Sequence, residues 1–244
     1  MILDCVVTAC NNNELYMDFI PIFIKSWNKL YPNIDVKIIL INDKIPIQFE
    51  EYKNNIILFE PIPNISTAFI SQYIRLLYPC ILNYKNGVLI TDIDMIPMNN
   101  TYYTKNIENI NNDKFIYYRN VLFDEKQIAM CYNVALPKTW KDIFNIHSSD
   151  DIIKRLIDIN NNNPNWATDQ IDLYKYIMKW KTKTNNFIYL HDNNTGFNRL
   201  NRNNFSLNDN NIIHQIKKHY YSDYHMYRPY KDFKDINDTI LSLL

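Results

Sequence analysis

Apolar residues in the first part of the chain fall into short runs separated by longer segments with a helical period. The runs Ile2–Ala9, Val36–Ile41 and Ile56–Phe59 are bounded by polar or turn residues, as buried strands are. Between the first two runs, apolar residues recur at helical spacing up to Leu30, and Pro21 sets the start of the regular helix close to itself. The pattern predicts a strand, a helix and two further strands.

A second helical segment, Ser66–Leu77, precedes a fourth apolar run, Val88–Thr91. Ser66 or Thr67 is the expected N-cap, because a hydroxyl oxygen can accept from the free N–H groups of a first turn. Strands that alternate with helices in this way predict an α/β protein whose sheet is mixed, mostly parallel and flanked by helices on both faces.

The pattern in the rest of the chain predicts strands of mixed direction, three more helices and one polar loop. The sequence shows no internal repeat and no linker, so a single domain is expected. Ser149 and Thr168 are the expected caps of two of the helices. The predicted strands are Phe115–Tyr118, Gln127–Leu136 and Phe187–Leu190, the helices are Ser148–Ile159, Thr168–Trp180 and Asp235–Leu244, and the loop is Asn193–Asn211.

Composition narrows the function classes. The 244 residues carry 26 basic and 26 acidic side chains, and this balance argues against nucleic acid or a membrane surface as partner. The first apolar run lacks a preceding cationic segment, and no window reaches the ~18 apolar residues of a membrane span. We therefore expect a soluble, cytoplasmic protein with no transmembrane segment. The chain has only 2 glycines and is rich in Asn, Ile, Lys and Tyr, a composition typical of AT-rich genomes, including those of large DNA viruses. For a viral protein, the expected location would be the host cytoplasm.

The four cysteines form no Cys-x-x-Cys pair, which argues against a structural zinc site. Two of them lie in strand-like apolar runs, as buried reduced thiols do. The cysteines are Cys5, Cys10, Cys80 and Cys131.

Asp92 and Asp94 form the only Asp-x-Asp sequence in the chain and follow the apolar run Val88–Ile90. Ionised carboxylates at the end of a buried strand cost free energy unless a partner group or a bound ion compensates their charge. In open α/β sheets, ligands bind at that end of the strands. Two oxygen ligands there suit Mg²⁺ or Mn²⁺ carrying a diphosphate, since such ions bind through one or two carboxylates plus substrate phosphates.

Three segments in this order resemble the GT-A nucleotide-sugar glycosyltransferases, in particular glycosyltransferase family 8 and its small viral and microbial relatives. They are Ile70–Pro79, which contains Arg75, then Gly87–Pro97, and finally Trp166–Gln170. The resemblance extends from Met1 to about residue 237. The chain has Asp-Gln-Ile-Asp at 169–172 where family 8 has Asp-Gln-Asp, and it lacks the late His-x-Gly-x-x-Lys-Pro-Trp. Retention or inversion at the transferred sugar therefore stays open.

The resemblance implies one GT-A-like domain over 1–244, with a nucleotide-binding half at 1–100 and an acceptor-side half with a C-terminal metal and donor segment at 101–244. It implies a metal-dependent transferase that uses Mn²⁺ or Mg²⁺. The donor would be a nucleoside diphosphate sugar, expected to be a UDP-sugar, and the acceptor a hydroxyl group of a carbohydrate or protein.

The resemblance also implies roles for single residues. Asp169 would be the catalytic base, and Asp92, Asp94 and His225 would hold the metal, with His214 as the alternative histidine. Arg199 would contact acceptor or donor. The expected donor-binding residues are Thr8, Ala9, Cys10, Asp43, Arg75, Thr91, Asp92, Arg202 and Arg228.

Three other functions compete with this interpretation. A haloacid-dehalogenase-like phosphatase would use Asp92 as nucleophile, but its motif usually follows the first strand and needs a later strand-borne acidic pair, whereas Asp150 and Asp151 open a helix. A sugar-nucleotide pyrophosphorylase would need a glycine-rich loop where the chain has Asn11–Glu14. A non-catalytic sugar-nucleotide-binding protein is the third alternative.

Overall fold

Strands and helices alternate along the chain in the computed structural model, which describes residues 1–244. The strands are β1 Leu3–Asn11, β2 Asp35–Ile41, β3 Ile56–Phe59, β4 Gly87–Ile90, β5 Met95–Pro97, β6 Phe115–Tyr117, β7 Asn133–Ala135, β8 Phe187–Tyr189, β9 Arg199–Asn201 and β10 Asp223–His225. The helices are α1 Ile20–Leu30, α2 Thr67–Leu77, α3 Tyr102–Lys105, α4 Pro137–Phe144, α5 Ser149–Asn160, α6 Thr168–Thr184, α7 Asp192–Thr195, α8 Asn210–Lys217 and α9 Lys234–Leu243.

The strands form two sheets. The larger has the order β3-β2-β1-β4-β7-β6-β8 and the smaller the order β5-β10-β9. In the larger sheet the first four strands are parallel, β7 runs antiparallel to both of its neighbours, and β8 is parallel to β6. The predicted mixed, mostly parallel α/β sheet flanked by helices is thus confirmed.

The central strands of the larger sheet are buried on both faces. Successive residues of β1 point to opposite faces, so that Val6 packs in the cluster that contains Phe23 of α1 and Val7 packs in the cluster that contains Ile70 of α2. A strand covered on both sides has no solvent face, and this explains why the first strands read as continuous apolar runs rather than as alternating ones. All four cysteines are buried and free, in agreement with the expected reduced thiols.

Most predicted elements are found within a few residues of their expected bounds, and Pro21 lies in the first turn of α1 as expected. The long strand predicted over 127–136 is wrong, because only Asn133–Ala135 is extended and pairs in the sheet. Helix α4, which opens with Pro137, has no counterpart among the predicted elements. The indole N–H of Trp140 in this helix donates to the carbonyl of Val88 at 3.2 Å, which fixes α4 beside β4.

Two predicted helix caps are also wrong. The cap of α5 is Ser148, whose hydroxyl accepts from the backbone N–H of Asp151 at 3.2 Å, so the cap lies one residue before the expected Ser149. The residue at the cap of α6 is Ala167, and the hydroxyl of Thr168 instead accepts from the backbone N–H of Asn165 at 2.8 Å.

None of the helices combines the length and the apolar character that a membrane-spanning helix needs.

The predicted polar loop at 193–211 contains regular structure. It includes the end of α7, strand β9 and the start of α8. The three residues of β9 pair with β10, from Arg199 opposite Asp223 to Asn201 opposite His225. Three residues are too few to show a periodic pattern of apolar positions. The formation of β9 also depends on a partner strand more than twenty residues away along the chain.

Gly87, the first residue of β4, has no room for a side chain. A Cβ atom at this position would lie 2.9 Å from Cγ2 of Val134 and 3.0 Å from the carbonyl oxygen of Ile2. We expect Gly87→Ala to lower the free energy of unfolding by about 1–3 kcal/mol, because backbone or a packed side chain must move. Urea denaturation measures this value, and an unchanged midpoint would contradict it.

Candidate active site

A cavity of about 530 Å³ lies at the carboxyl ends of β1 and β4. These adjacent parallel strands are followed by helices and loops that leave a crevice, which is the usual place for a ligand in an open α/β sheet. Its walls come from both halves of the chain. Among the lining residues are Ala9, Cys10, Asn11, Tyr16, Phe69, Gln72, Arg75, Asp92, Asp94, Trp166, Asp169, Arg202, His225 and Arg228.

Arg75 joins two carboxylates at the base of the cavity. Its guanidinium is almost fully buried, donates from Nη1 to Asp92 Oδ1, and approaches Asp169 Oδ2 from Nη2 at 3.7 Å. Its remaining contacts are with the backbone carbonyls of Gln72 and Thr91, both at 3.2 Å. The donors of Arg75 are therefore directed at protein acceptors, and the residue holds Asp92 and Asp169 in fixed relative positions.

Asp169 is a buried carboxylate in the first turn of α6, with 2% of its surface exposed. Burial raises its pKa to about 6, and the charge of Arg75 and the backbone N–H of Gln170 offset this only in part. The carboxylate is consequently ionised at neutral pH and still has a pKa close to it. A general base works best with such a pKa.

Asp94 is the meeting point of three cationic or potentially cationic groups. Its Oδ2 atom lies 3.2 Å from Nη1 of Arg202, 3.3 Å from Nε2 of His225 and 3.6 Å from Nη1 of Arg228. Burial acts to raise the pKa of Asp94, but the hydrogen bond and charge of His225 and the charges of both arginines outweigh it and hold the pKa below its ordinary value. Asp94 is therefore a carboxylate throughout the neutral range.

The expected metal residues are only partly brought together. Asp94 and His225 are adjacent, whereas Asp92 is paired with Arg75, and no group of three or more His, Cys, Asp or Glu side chains is arranged to hold a metal ion. One carboxylate and one imidazole suit Mn²⁺, provided that further oxygens come from a bound diphosphate. The donor set fits an ion shared with a substrate, and does not form a complete protein cage.

A buried polar network fixes the small sheet that carries Arg202 and His225. Arg199 donates from Nε to Asp223 Oδ2 at 2.7 Å and from Nη2 to the hydroxyl of Tyr132 at 3.0 Å. The Tyr132 hydroxyl also donates to Asp223, which is fully buried. Arg199 does not line the cavity. Its donors hold β9 and β10 in place, so the expected contact of Arg199 with acceptor or donor is not what the structure shows.

Removal of the Arg199 guanidinium from this network should destabilise the folded protein. Arg199→Met leaves the buried Asp223 carboxylate without its charged partner, and we expect the free energy of unfolding to fall by about 3–5 kcal/mol. The control is Lys53→Met, which breaks an exposed pair with Glu50 and should change the value by at most about 1 kcal/mol. Equal small effects in the two variants, measured by chemical denaturation, would contradict the prediction.

The structure places most, but not all, of the sequence-predicted residues in the cavity. Thr8, Thr91 and Asp43 do not line it. The hydroxyls of Thr8 and Thr91 are buried without a hydrogen-bond partner, and Asp43 is exposed after β2. His214 lies on the exposed side of α8, also outside the cavity. The roles of the residues that do line it stay predictions.

Cys10 and Cys131 also line the cavity, but neither has the character of a nucleophile. Burial raises the pKa of Cys10 to about 12 and that of Cys131 to about 11. Both are uncharged thiols at neutral pH, and the thiolate is the reactive form of cysteine.

The sequence predicted no role for the three aromatic residues that line the cavity, Tyr16, Phe69 and Trp166. Tyr16 follows β1, and its hydroxyl accepts from Nη1 of Arg228 at 2.5 Å. Trp166 belongs to a segment that carried the family resemblance but received no role of its own. An aromatic residue in the loop after the first strand was the available signal for Tyr16. No sequence signal distinguished an exposed Trp166 from a buried one.

Comparisons with known proteins bear on the fold. No family model matches the chain, and no curated protein matches it. Among solved structures, galactosyltransferase LgtC in complex with donor and acceptor sugar analogs is similar with a TM-score of 0.56 at 12% identity, over 98% of this chain and 96% of that one. An active-site mutant of LgtC gives a TM-score of 0.54 at 11% identity, over 96% and 95% of the two chains.

A third similar structure, the apo form of the glycosyltransferase GlyE of Streptococcus pneumoniae, has a TM-score of 0.47 at 17% identity and covers 78% of this chain and 45% of that one. The two LgtC structures match nearly the whole length of both chains. The chain therefore has the GT-A fold of glycosyltransferases such as LgtC, as its sequence motifs predict.

Proposed function

We propose that the protein is a metal-dependent glycosyltransferase that moves a sugar from a nucleoside diphosphate sugar, a UDP-sugar in the simplest case, to a hydroxyl group of an acceptor. The main support is the convergence of Asp94, His225, Arg202 and Arg228 with the separate buried base Asp169 in one cavity of a GT-A fold. The presence of both donor and acceptor sugar analogs in the LgtC complex agrees with this assignment.

The donor side of the site is built for a diphosphate. Arg202 and Arg228 offer guanidinium donors, which form strong charge-assisted hydrogen bonds with phosphate oxygens. Asp94 and His225 would hold the divalent ion, which when bound neutralises charge on the leaving diphosphate. Arg202 and Arg228 approach Oδ2 of Asp94, and their positive charges oppose a cation at this carboxylate. A diphosphate that pairs with these guanidinium groups would reduce that opposition, so nucleotide and metal should each strengthen the binding of the other.

The acceptor side is served by Asp169. In the proposed reaction the acceptor hydroxyl oxygen forms a bond to the anomeric carbon, while the bond from that carbon to the diphosphate oxygen breaks. The hydroxyl proton passes to the carboxylate of Asp169, and the anomeric configuration is inverted. Arg75 keeps Asp169 and Asp92 in fixed relative positions during this step.

Thermal denaturation with UDP, GDP and their sugars, each with and without Mn²⁺, tests the donor assignment. We expect UDP and Mn²⁺ together to raise the melting temperature more than the sum of their separate effects. A ligand at ~100 times its Kd adds about 2.7 kcal/mol to the free energy of unfolding. No shift with any nucleotide would overturn the proposed donor class, and an equal shift without metal would overturn the metal dependence.

The phosphatase alternative is not retained. It expects the Asp-x-Asp after the first strand of a different fold, whereas here the motif follows β4, and the candidate nucleophile Asp92 is paired with Arg75. A non-catalytic sugar-nucleotide-binding protein would also give a thermal shift. Measurement of donor hydrolysis and transfer separates that alternative, because a binding protein would release no free nucleotide.

A further inference from the structure

One tryptophan stands out by its exposure. Trp166 has 74% of its surface exposed, whereas the other tryptophans, Trp27, Trp140 and Trp180, are buried. Trp166 lines the cavity, and it is the one large hydrophobic residue lining the cavity that is exposed to this degree. An aromatic side chain left in water beside a cavity is available to a ligand, and its burial by that ligand is favourable.

The loop that carries Trp166 is held in place by hydrogen bonds on both sides. The Gln72 side chain donates from Nε2 to the carbonyl of Trp166 at 2.6 Å, which ties the loop to α2. The backbone N–H of Ala167 donates to Asn165 Oδ1 at 2.9 Å, and the backbone N–H of Asn165 donates to Thr168 Oγ1 at 2.8 Å. The exposed indole is therefore presented on an ordered backbone, so little conformational entropy is lost when a ligand packs on it.

The neighbours of Trp166 indicate what it binds. Asp169, the proposed base, follows three residues later in the same cavity, and neighbouring residues of this segment and of α2 add amide and hydroxyl side chains to the lining. A sugar ring has an apolar face of C–H groups and a rim of hydroxyls, so an aromatic face next to amide groups matches both parts of it. These amide and hydroxyl side chains are Asn165, Gln72, Ser71 and Gln170.

We propose that the acceptor is a saccharide, and that its ring packs on the indole of Trp166 and presents one hydroxyl to Asp169. This inference rests on the proposed function, because it assigns the second substrate of the same site. The cationic groups suited to a diphosphate, Arg202, Arg228 and His225, lie on or beside the small sheet, whereas Trp166 belongs to the α6 side with Asp169. This separation favours the acceptor over the nucleotide base as the partner of Trp166.

A glycan array tests the assignment. Labelled protein is applied with saturating UDP and Mn²⁺, and multivalent display on the array raises the retention of weak ligands. We expect the wild type to be retained by a subset of glycans, Trp166→Ala to lose that retention by at least tenfold, and Trp166→Phe to keep part of it. The matched control is Tyr220→Ala, which removes an aromatic residue that is 58% exposed and outside the cavity, and should be retained as the wild type is.

Fluorescence gives a second measurement on the same proteins. Iodide quenches exposed indoles, so quenching of the wild type reports mainly on Trp166, and a retained glycan should reduce it. No retained glycan, or equal retention of wild type and Trp166→Ala, would overturn the saccharide acceptor. A loss of UDP affinity in Trp166→Ala, measured by calorimetry, would assign the indole to the base and overturn it as well. Failure of the wild type to bind any nucleotide would instead reject the proposed function.

Discussion

Replacement of Asp94 by alanine is expected to abolish sugar transfer and to remove the joint stabilisation by nucleotide and Mn²⁺. Asp94 is the carboxylate that lies next to His225, and it is buried where two arginines also converge. Loss of groups that hold or orient a metal typically weakens metal affinity or activity by ~10–100-fold, and loss of a direct ligand should reach at least the upper end of that range. Steady-state transfer assays and calorimetric titration of Mn²⁺ in the presence of UDP measure the two effects.

Controls separate this loss from a loss of the fold. Circular dichroism and the melting temperature without ligands report whether Asp94→Ala is folded. His225→Ala should weaken metal and nucleotide binding together, while His214→Ala, on the exposed side of α8 outside the cavity, should change neither. Full turnover of the wild-type protein in excess chelator would contradict the metal role of Asp94, and the reverse result for the two histidines would transfer the role to His214.

The first half of the fold could be predicted from the sequence because its signals are local. The central parallel strands β1, β2 and β4 are covered on both faces, so each contains a largely apolar run, and α1 and α2 show a helical period. The small sheet could not be predicted, since β5, β9 and β10 have three residues each and depend on partners far along the chain. The position of Arg202 and His225 beside Asp94 is a product of that long-range pairing.

The contrast between local and long-range signals also explains which residues of the site could be predicted. Asp92 and Asp94 follow a recognisable strand, so their place at the sheet edge was predictable. Asp43 was expected in the site because it follows β2, but the cavity lies beyond the ends of β1 and β4, and β2 is one strand further away. Arg75 was expected to contact the donor, but the sequence could not reveal that its buried guanidinium faces Asp92 and Asp169, since this depends on how α2 and α6 pack at the end of β4.

Asp169→Asn is expected to cut turnover by ~10²–10⁴-fold, the usual contribution of a general base. Donor affinity should change little, because Asp169 pairs with Arg75, whereas Arg202, Arg228 and His225, the groups proposed to bind the diphosphate and the metal, pair with Asp94. Transfer and donor-binding assays on the same variant give both quantities. The amide keeps the size of the side chain and its acceptor oxygen for the backbone N–H of Gln170. The loss should therefore arise from the missing base and not from a displaced loop.

The pH dependence gives an independent measurement of the same residue. Burial raises the pKa of Asp169 to about 6; Arg75 at 3.7 Å and the backbone N–H of Gln170 act to lower it, and the charge of Asp92 acts to raise it. A base must be deprotonated, so wild-type kcat should fall about tenfold per pH unit below pH 6 and level off above it. The residual turnover of Asp169→Asn should lack this step.

The stability of Asp169→Asn provides the control, and the sign of the expected change follows from the raised pKa of Asp169. The folded state binds the Asp169 proton more tightly than the unfolded state does, so ionisation of this group lowers stability as the pH rises from about 4 to about 6. Asp169→Asn removes that effect and should not be less stable than the wild type at pH 7. If the charge of Asp169 only stabilised the helix start, the variant would lose about 0.3–1 kcal/mol of stability with unchanged turnover per folded molecule. A product that retains the anomeric configuration of the donor would reject the inverting base, whatever the rate of the variant.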